Sequence, residues 1–435
     1  MWTARDVLIP LLMVPLIVFC GVVAMEHWPD QWWLSPGGDA PEPSASFELY
    51  DCIPSERFGS PVESVEGSAE LVEISGVEYV RMADLGTFSV TVGGVPAYYG
   101  VGPAHMDLIV LSGQSNAMRF TSPTYYDGPT TVAPGKAFYL GHDGDPQSEE
   151  YGGQVRESTL EGSTVWDLVK DDGSMRLAAM YPSFCGDYVQ ETGHRVITVS
   201  TAMGGRAIDF WSEPGKRGYD LMVNALALLK EQCEGRIVLT PAAVLWWQGE
   251  ADAYETQEYY LEAFLTLLDR LEDGTFGFEF PHITSMLPRA LLKPYDEMIP
   301  PALAQLDAQS LDPAFTVASD LTYRATRADD MVDNVHFNQR FYGWAGEAFA
   351  RQLAEVYGLQ PVDETIVICE DVGAVQELPE TATCYGTSGA SFELSVDWSA
   401  TETGYEGALS GNPEGTVIRE GLTASAVLEE SQEEP

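Results

Sequence analysis

Apolar residues in this chain gather into short runs at regular intervals. Between about Met106 and Gly358 the runs Leu108–Leu111, Arg195–Ser200 (RVITVS), Ala242–Trp247 (AAVLWW), His282–Leu287 and Phe315–Ser319 each end in glycine or polar residues. Nearly continuous apolar runs of this length suit strands buried on both faces of a parallel sheet. Between them, Tyr219–Glu231, Glu258–Leu271 and Phe341–Tyr357 follow a helical period. In the second of these, Leu261, Phe264, Leu265 and Leu268 fall at i, i+3, i+4 and i+7. Gly358 and Pro361 close the third. Strands alternating with helices predict an α/β domain over residues 105–358.

The flanks carry other patterns. Val77–Arg81 and Thr87–Val92 alternate apolar and polar side chains, and Gly86, Gly93 and Gly94 punctuate them. Residues 27–104 are therefore expected to form a linker and a small antiparallel β module. Beyond Pro361 the helical period stops. Glu364–Cys369 and Ser391–Trp398 read as strands within a loose, β-rich appendage over residues 359–435, and its acidic end, Ala424–Pro435, reads as disordered. At the other end Val7–Met25 is an uncharged run of about 19 residues, near the length that crosses a bilayer as a helix. Arg5 precedes it and Glu26 and Asp30 follow, which places the N-terminus inside and the body of the protein outside. Val22-Val23-Ala24 offers a small-residue cleavage site, so residues 1–26 read either as a membrane anchor or as a signal peptide. Both readings put the remainder outside the cytoplasm.

Charge narrows the partners. With 67 acidic against 22 basic residues, the formal net charge is -45 over 435 residues. Such a field repels nucleic acid and anionic lipid headgroups, leaving the N-terminal segment as the one expected membrane contact. Of six cysteines, Cys20 lies in the apolar run; Cys369 and Cys384 are the closest pair, and Cys185 with Cys233 is conceivable. In an oxidising compartment such cysteines can pair, the alternative being buried free thiols. No C-x-x-C spacing or His/Cys cluster occurs, and neither metal nor other cofactor is expected. Oligomeric state is not readable.

The strand ends carry the candidate chemistry. Leu108–Leu111 runs into Ser112-Gly113-Gln114-Ser115-Asn116. In open α/β sheets ligands bind beyond the C-terminal ends of the strands, which makes Ser115 the candidate nucleophile. Arg195–Ser200 leads into a segment holding Gly204, Gly205 and Arg206, and paired glycines let backbone N–H groups approach a ligand closely. Ala242–Trp247 ends in Gln248-Gly249-Glu250-Ala251-Asp252, where an amide side chain can serve as a donor. After the last strand, Asp333 precedes His336 by three residues, a spacing that lets the carboxylate fold back onto the imidazole. Acyl transfer to serine needs a base, an acid that orients it, and donors aimed at the oxyanion. Each segment alone is ordinary turn chemistry; their joint order along one domain is not.

These four segments, GQSNAM, TAMGGRAIDFW, WWQGEADA and DNVHFN, resemble in order and spacing the motif blocks of the sialate O-acetylesterase and acetylxylan esterase family of the SGNH hydrolase superfamily. The resemblance spans about Met106–Gly358. It implies a flavodoxin-like three-layer α/β/α domain that hydrolyses acetyl esters on carbohydrates through a serine, without a metal. Carried over, Ser115 is the nucleophile, His336 the general base and Asp333 its orienting acid. The oxyanion donors are the backbone N–H groups of Ser115 and of Gly204 or Gly205, with the Gln248 side chain. Asn116, Arg206 and Glu250 border the substrate position. Arg206 departs from the family, whose members often have Thr or Ser there. It reads as solvent-facing, or, if turned to the pocket, as a fork for a substrate carboxylate. Glu250 is expected to bond within its own loop rather than to orient His336. Two other functions stay open: a non-catalytic glycan-binding or envelope structural protein on this fold, and an esterase or lipase of other acyl specificity.

Overall fold

The computed structural model describes residues 46–74, 76–117, 120–121, 134–140, 155–157, 177–178, 180–290, 297–359 and 363–428. The apolar N-terminal run Val7–Met25 lies outside them. Among the described residues no helix is long and apolar enough to cross a membrane. The chain forms two compact units, the larger running from Pro103 onward and also taking in Tyr50–Cys52 and Ile74–Val77.

The smaller unit is a β module, antiparallel as expected except that its first strand, Ser46–Glu48, pairs in parallel with Gly100–Gly102. Its strands include β1 (Ser46–Glu48), β2 (Val62–Gly67), β3 (Ala69–Ile74), β4 (Val77–Met82), β5 (Gly86–Val92) and β6 (Val95–Gly102). One sheet has the order β1-β6-β5-β2, and β4 neighbours β3 in another. Alternation in β5 turns Phe88 and Val90 inward, where Phe88 meets Phe47, Phe58 and Tyr99 in one aromatic cluster.

The larger unit is mixed α/β. Its main sheet contains β7 (Ala104–Gly113), β8 (Ala137–Leu140), β9 (Val155–Glu157), β10 (Val196–Ser200), β11 (Ile237–Trp247), β12 (Ile283–Met286) and β13 (Phe315–Ser319), in the order β9-β8-β10-β7-β11-β12-β13. Every pairing is parallel except that of β8 with β9. The helices are α1 (Tyr181–Thr192), α2 (Arg217–Cys233), α3 (Gln257–Glu272), α4 (Pro300–Leu311) and α5 (Gln339–Val356). Strand β7 is central, flanked by β10 and β11, and Leu108–Leu111 are wholly buried, which is why this run shows no polar alternation. Each such leucine or isoleucine contributes about 1.5–3 kcal/mol of burial free energy.

The two faces of the sheet take alternate residues. Ile109, Leu111, Ala243, Leu245 and Trp247 share a core with Phe184 and Tyr188 of α1 and Tyr342, Ala345 and Phe349 of α5. On the other face Trp246 meets Phe264 of α3 and donates its indole N–H to Tyr260. Gly346 lets α1 and α5 approach: a Cβ there would lie 2.1 Å from Ser183 Oγ and 2.6 Å from Met180 O.

Register is what builds the site. Leu111 pairs with Ser200 of β10 and Leu245 of β11, and Gly113 pairs with Trp247, so three strands end side by side. The chain then turns at Gly113 with φ 122°, where a Cβ would fall 2.2 Å from Trp247 O. Only glycine fits that approach.

The segment after Pro361 is not a loose appendage. Strands β14 (Glu364–Cys369), β15 (Gly373–Val375), β16 (Thr381–Gly386), β17 (Ser391–Ala400), β18 (Tyr405–Ser410), β19 (Thr416–Ile418) and β20 (Thr423–Leu428) form a second seven-stranded sheet, in the order β15-β20-β18-β17-β16-β14-β19. Ala424–Leu428, expected to be disordered, are thus strand residues, while residues 429–435 lie outside the described set. Small residues such as Ala382, Ala424 and Ala426 fill the buried positions, so the strands lack the large apolar runs that would announce them. The sheet is tied to the α/β core by hydrogen bonds from Thr365 N–H (3.2 Å) and Thr387 Oγ1 (3.1 Å) to Glu347 of α5, and from Ser319 Oγ to Thr387 O (2.7 Å).

Candidate active site

Beyond β7 the turn presents Ser115 at the surface edge, between the buried side chains of Gln114 and Asn116. Across from it stands the loop that carries Asp333 and His336. A bridge between Met331 and Phe337 closes that loop, and Val332 N–H donates to His336 O (2.9 Å). Phe337 anchors it, buried and stacked on Phe341 at 4.2 Å between centroids and against Trp247 at 5.5 Å. Asn338 then caps α5 by accepting from Phe341 N–H (3.0 Å).

Within this loop the Asp-x-x-His spacing does what the sequence suggests. Asp333 Oδ1 accepts from the backbone N–H groups of Val335 (2.7 Å) and His336 (2.8 Å), and Oδ2 lies 2.8 Å from His336 Nδ1. Partial burial works to raise the Asp333 carboxyl, but the bonds from the His336 ring and the two amides outweigh it and hold the group below its ordinary value. An ionised carboxylate only accepts, so Nδ1 carries the ring proton and Nε2 presents a lone pair. That lone pair faces Ser115 Oγ at 2.8 Å. Ser115, His336 and Asp333 therefore stand in one hydrogen-bonded line.

A second line of contacts runs behind the first. Asn116, fully buried, donates from Nδ2 to Glu250 Oε1 (2.7 Å) and to Val335 O (3.2 Å), and its Oδ1 accepts from Tyr342 OH (2.8 Å). The nucleophile turn is thereby fastened to the histidine loop, to α5 and to the end of β11. Glu250 does not touch His336 through any of these bonds. Burial pushes its carboxyl up to about 7, against the opposing bond from Asn116.

The two remaining strand ends converge on Ser115 as well. Thr201 N–H donates to Leu111 O and Met203 N–H to Gly113 O, both at 2.8 Å, which draws the glycine pair alongside the turn. A Cβ on Gly204 would sit 3.7 Å from Ser115 Cβ, and Gly205 has φ 67°. Gln248 is fully buried, and its Nε2 donates to Arg206 O (2.9 Å) and to Asp252 Oδ2, while Oε1 accepts from Tyr260 OH (2.8 Å). The sequence predicts that this amide faces the oxyanion; here both of its hydrogens go to protein acceptors that secure the glycine loop. Asp252 also accepts from Ile208 N–H (3.0 Å), and burial raises its carboxyl to about 6. Arg206 is exposed, its guanidinium 5.3 Å from the centre of the Phe210 ring. Among the described residues no group of three or more His, Cys, Asp or Glu side chains is placed to hold a metal ion.

Residues 160–355 match a family model described as carbohydrate esterase, sialic acid-specific acetylesterase. That span, somewhat under half of the chain, is similar to this family, and the chain carries a carbohydrate O-acetylesterase domain. The matched span holds Gly204, Gly205, Gln248, Asp333 and His336, while the Ser115 turn precedes it. No curated protein sequence matches the chain. Among solved structures, an Arabidopsis thaliana protein aligns at 20% identity over 57% of this chain and 98% of its own, with a TM-score of 0.40. A carbohydrate acetylesterase from Xanthomonas citri aligns at 17% identity over 81% of this chain and 86% of its own, with a TM-score of 0.39. NanS aligns at 12% identity over 59% of this chain and 98% of its own, with a TM-score of 0.41. Superpositions this partial add nothing to the assignment.

Part of this candidate site is not legible in the sequence. Tyr342 reads as one more residue of an apolar helical stripe, yet its hydroxyl holds Asn116. Tyr260 and Gln305 likewise belong to ordinary helices, and together they bind the backbone and side chain of Gln248. The usable signal was a hydroxyl or amide on the buried face of a helix, since such a group needs a partner.

Proposed function

We propose that this domain, outside the cytoplasm, removes O-acetyl groups from a carbohydrate through an acyl-serine intermediate, on a flavodoxin-like three-layer α/β/α SGNH framework. The observation that carries the reading is the pair of 2.8 Å contacts from Ser115 Oγ to His336 Nε2 and from His336 Nδ1 to Asp333 Oδ2. The Ser115 oxygen attacks the acetyl carbonyl carbon as Nε2 takes its proton. The imidazolium so formed is stabilised by Asp333, and it returns the proton to the departing sugar oxygen. Water then attacks the acetyl-Ser115 ester with His336 as base, which releases acetate and restores the serine.

Negative charge develops on the carbonyl oxygen in both steps. The backbone N–H groups of Ser115 and of Gly204 or Gly205 are the donors for it, on the glycine loop that Gln248 and Asp252 hold against the turn. Gln248 serves the oxyanion through this loop. Arg206, exposed and lying over the Phe210 ring, accords with the solvent-facing reading, and the sugar is left unspecified. The sequence reading of Val7–Met25 supports export, with the domain either anchored or released.

The test is acetate release from acetylated sialic acid, from acetylated xylan and from p-nitrophenyl acetate, with Ser115→Ala and His336→Ala beside the wild type. Loss of turnover in both variants is expected. Retained turnover in both removes the assignment.

A further inference from the structure

We propose that Cys369 and Cys384 are a redox pair that closes into a disulfide across the C-terminal sheet, with Cys369 as the attacking thiol and Cys384 as the resolving one. The two residues are direct partners in the antiparallel ladder of β14 and β16. Next to them Glu370 N–H donates to Thr383 O (2.9 Å), which makes Cys369 and Cys384 a non-hydrogen-bonded pair. At such positions the Cα atoms of an antiparallel ladder lie about 4.5 Å apart and the side chains are closest, within the span a disulfide bridges. Both side chains belong to one small core with Ile366 and Leu394, where the Cys384 thiol faces Ala382 O at 3.9 Å.

Their surroundings divide the roles. Cys384 is fully buried, whereas Cys369 is partly open to solvent. The neighbouring Cys384 thiol draws Cys369 below its ordinary value, against burial and the nearby Glu370 and Glu393 carboxylates. The adjacent Cys369 and burial hold Cys384 well above its own. The more accessible and more acidic thiol is the one that reacts first. With a low-molecular-weight disulfide as oxidant, the Cys369 thiolate attacks one sulfur and expels one thiol, leaving a mixed disulfide. The Cys384 thiol then gives up its proton and attacks Cys369 Sγ, expelling the second thiol. Two protein hydrogens and two electrons pass to the oxidant.

Closure joins two strands whose flanking residues hold the sheet on the α/β core. Thr365 of β14 and Thr387, just past β16, both donate to Glu347 of α5. The proposal does not rest on the esterase assignment.

The full-length protein is incubated folded with oxidised glutathione, alkylated, digested and mapped by mass. The expected product is a linked Cys369–Cys384 peptide pair lighter by two hydrogens, with Cys185 and Cys233 still alkylated. In Cys384→Ser, Cys369 should retain a glutathione adduct; in Cys369→Ser, Cys384 should stay an alkylatable thiol once unfolded. Wild-type protein that keeps both thiols, or that stops at a glutathione adduct on Cys369, overturns the proposal. An adduct on Cys384 in Cys369→Ser overturns the division of roles.

Discussion

Asn116 Nδ2 lies 2.7 Å from Glu250 Oε1, joining the residue after the nucleophile to the end of the neighbouring strand. The same nitrogen reaches Val335 O in the histidine loop, so one amide sets the distance between Ser115 and His336. Asn116→Ala strands Glu250, Val335 O and the Tyr342 hydroxyl in a buried place, at about 1–3 kcal/mol for a group left without its partner. We expect a lower Tm and a kcat reduced by roughly 10-fold or more, with KM changed less. Steady-state kinetics on an acetylated sugar checks this, and an unchanged kcat would show that the tether is not needed for alignment.

Asp333 offers a sharper contrast. Asp333→Asn keeps an acceptor for the two backbone amides but no longer ensures that Nδ1 carries the ring proton. Turnover is expected to fall on the order of 10³-fold while the fold and KM hold. Circular dichroism alongside kcat separates this from unfolding; a loss of less than about 10-fold would mean that His336 is oriented by something else.

Gln248 tests how the glycine loop is held. For Gln248→Ala we expect kcat to drop by about 10²-fold, because the Arg206 carbonyl loses its donor and the oxyanion amides lose their aim. If the loop is the route, Asp252→Asn should lower kcat in the same sense through Ile208, and the double variant should be less than additive. Full additivity of the two would contradict a shared loop.

Stability should depend on pH in a stated direction. Burial raises Glu250 from 4.5 to about 7, Asp252 from 3.8 to about 6 and Asp187 from 3.8 to about 8. Between those limits the folded state holds protons that the unfolded chain has released. Their stabilisation is complete below the unfolded values and is lost as pH rises through the folded ones. The net charge of -45 acts in the same direction. We expect Tm to fall between about pH 5 and pH 8 and the slope to be shallower in Glu250→Gln. A Tm that rises over this range, or an unaltered slope in the variant, would refute the account of Glu250.

Much of the α/β domain was legible because its strands are buried on both faces. Phe315–Ser319 was bounded as it is found, and AAVLWW lies at the end of β11. Helices α2, α3 and α5 followed from clean apolar periods. Helix α1 did not, since Pro182 and Gly186 break its pattern and its packing rests on close backbone approach at Gly346. Helix α4 begins with two prolines and carries mostly alanines on its buried side, too little contrast for a period to emerge. The second seven-stranded sheet was underestimated for the same reason of small buried residues. At the site, strand ends gave Ser115, the glycine pair, Gln248, Asp333 and His336, and the structure gathers them. What the sequence could not disclose is which buried polar groups face one another, because the Asn116–Glu250–Tyr342 contacts depend on three separate elements meeting in space.

The most direct test of the central claim is covalent trapping with a fluorophosphonate, followed by peptide mapping. The account predicts a single phosphonyl adduct on Ser115, formed with loss of esterase activity and suppressed in His336→Ala. An inactivated enzyme labelled at another residue, or full activity with Ser115 labelled, would contradict it.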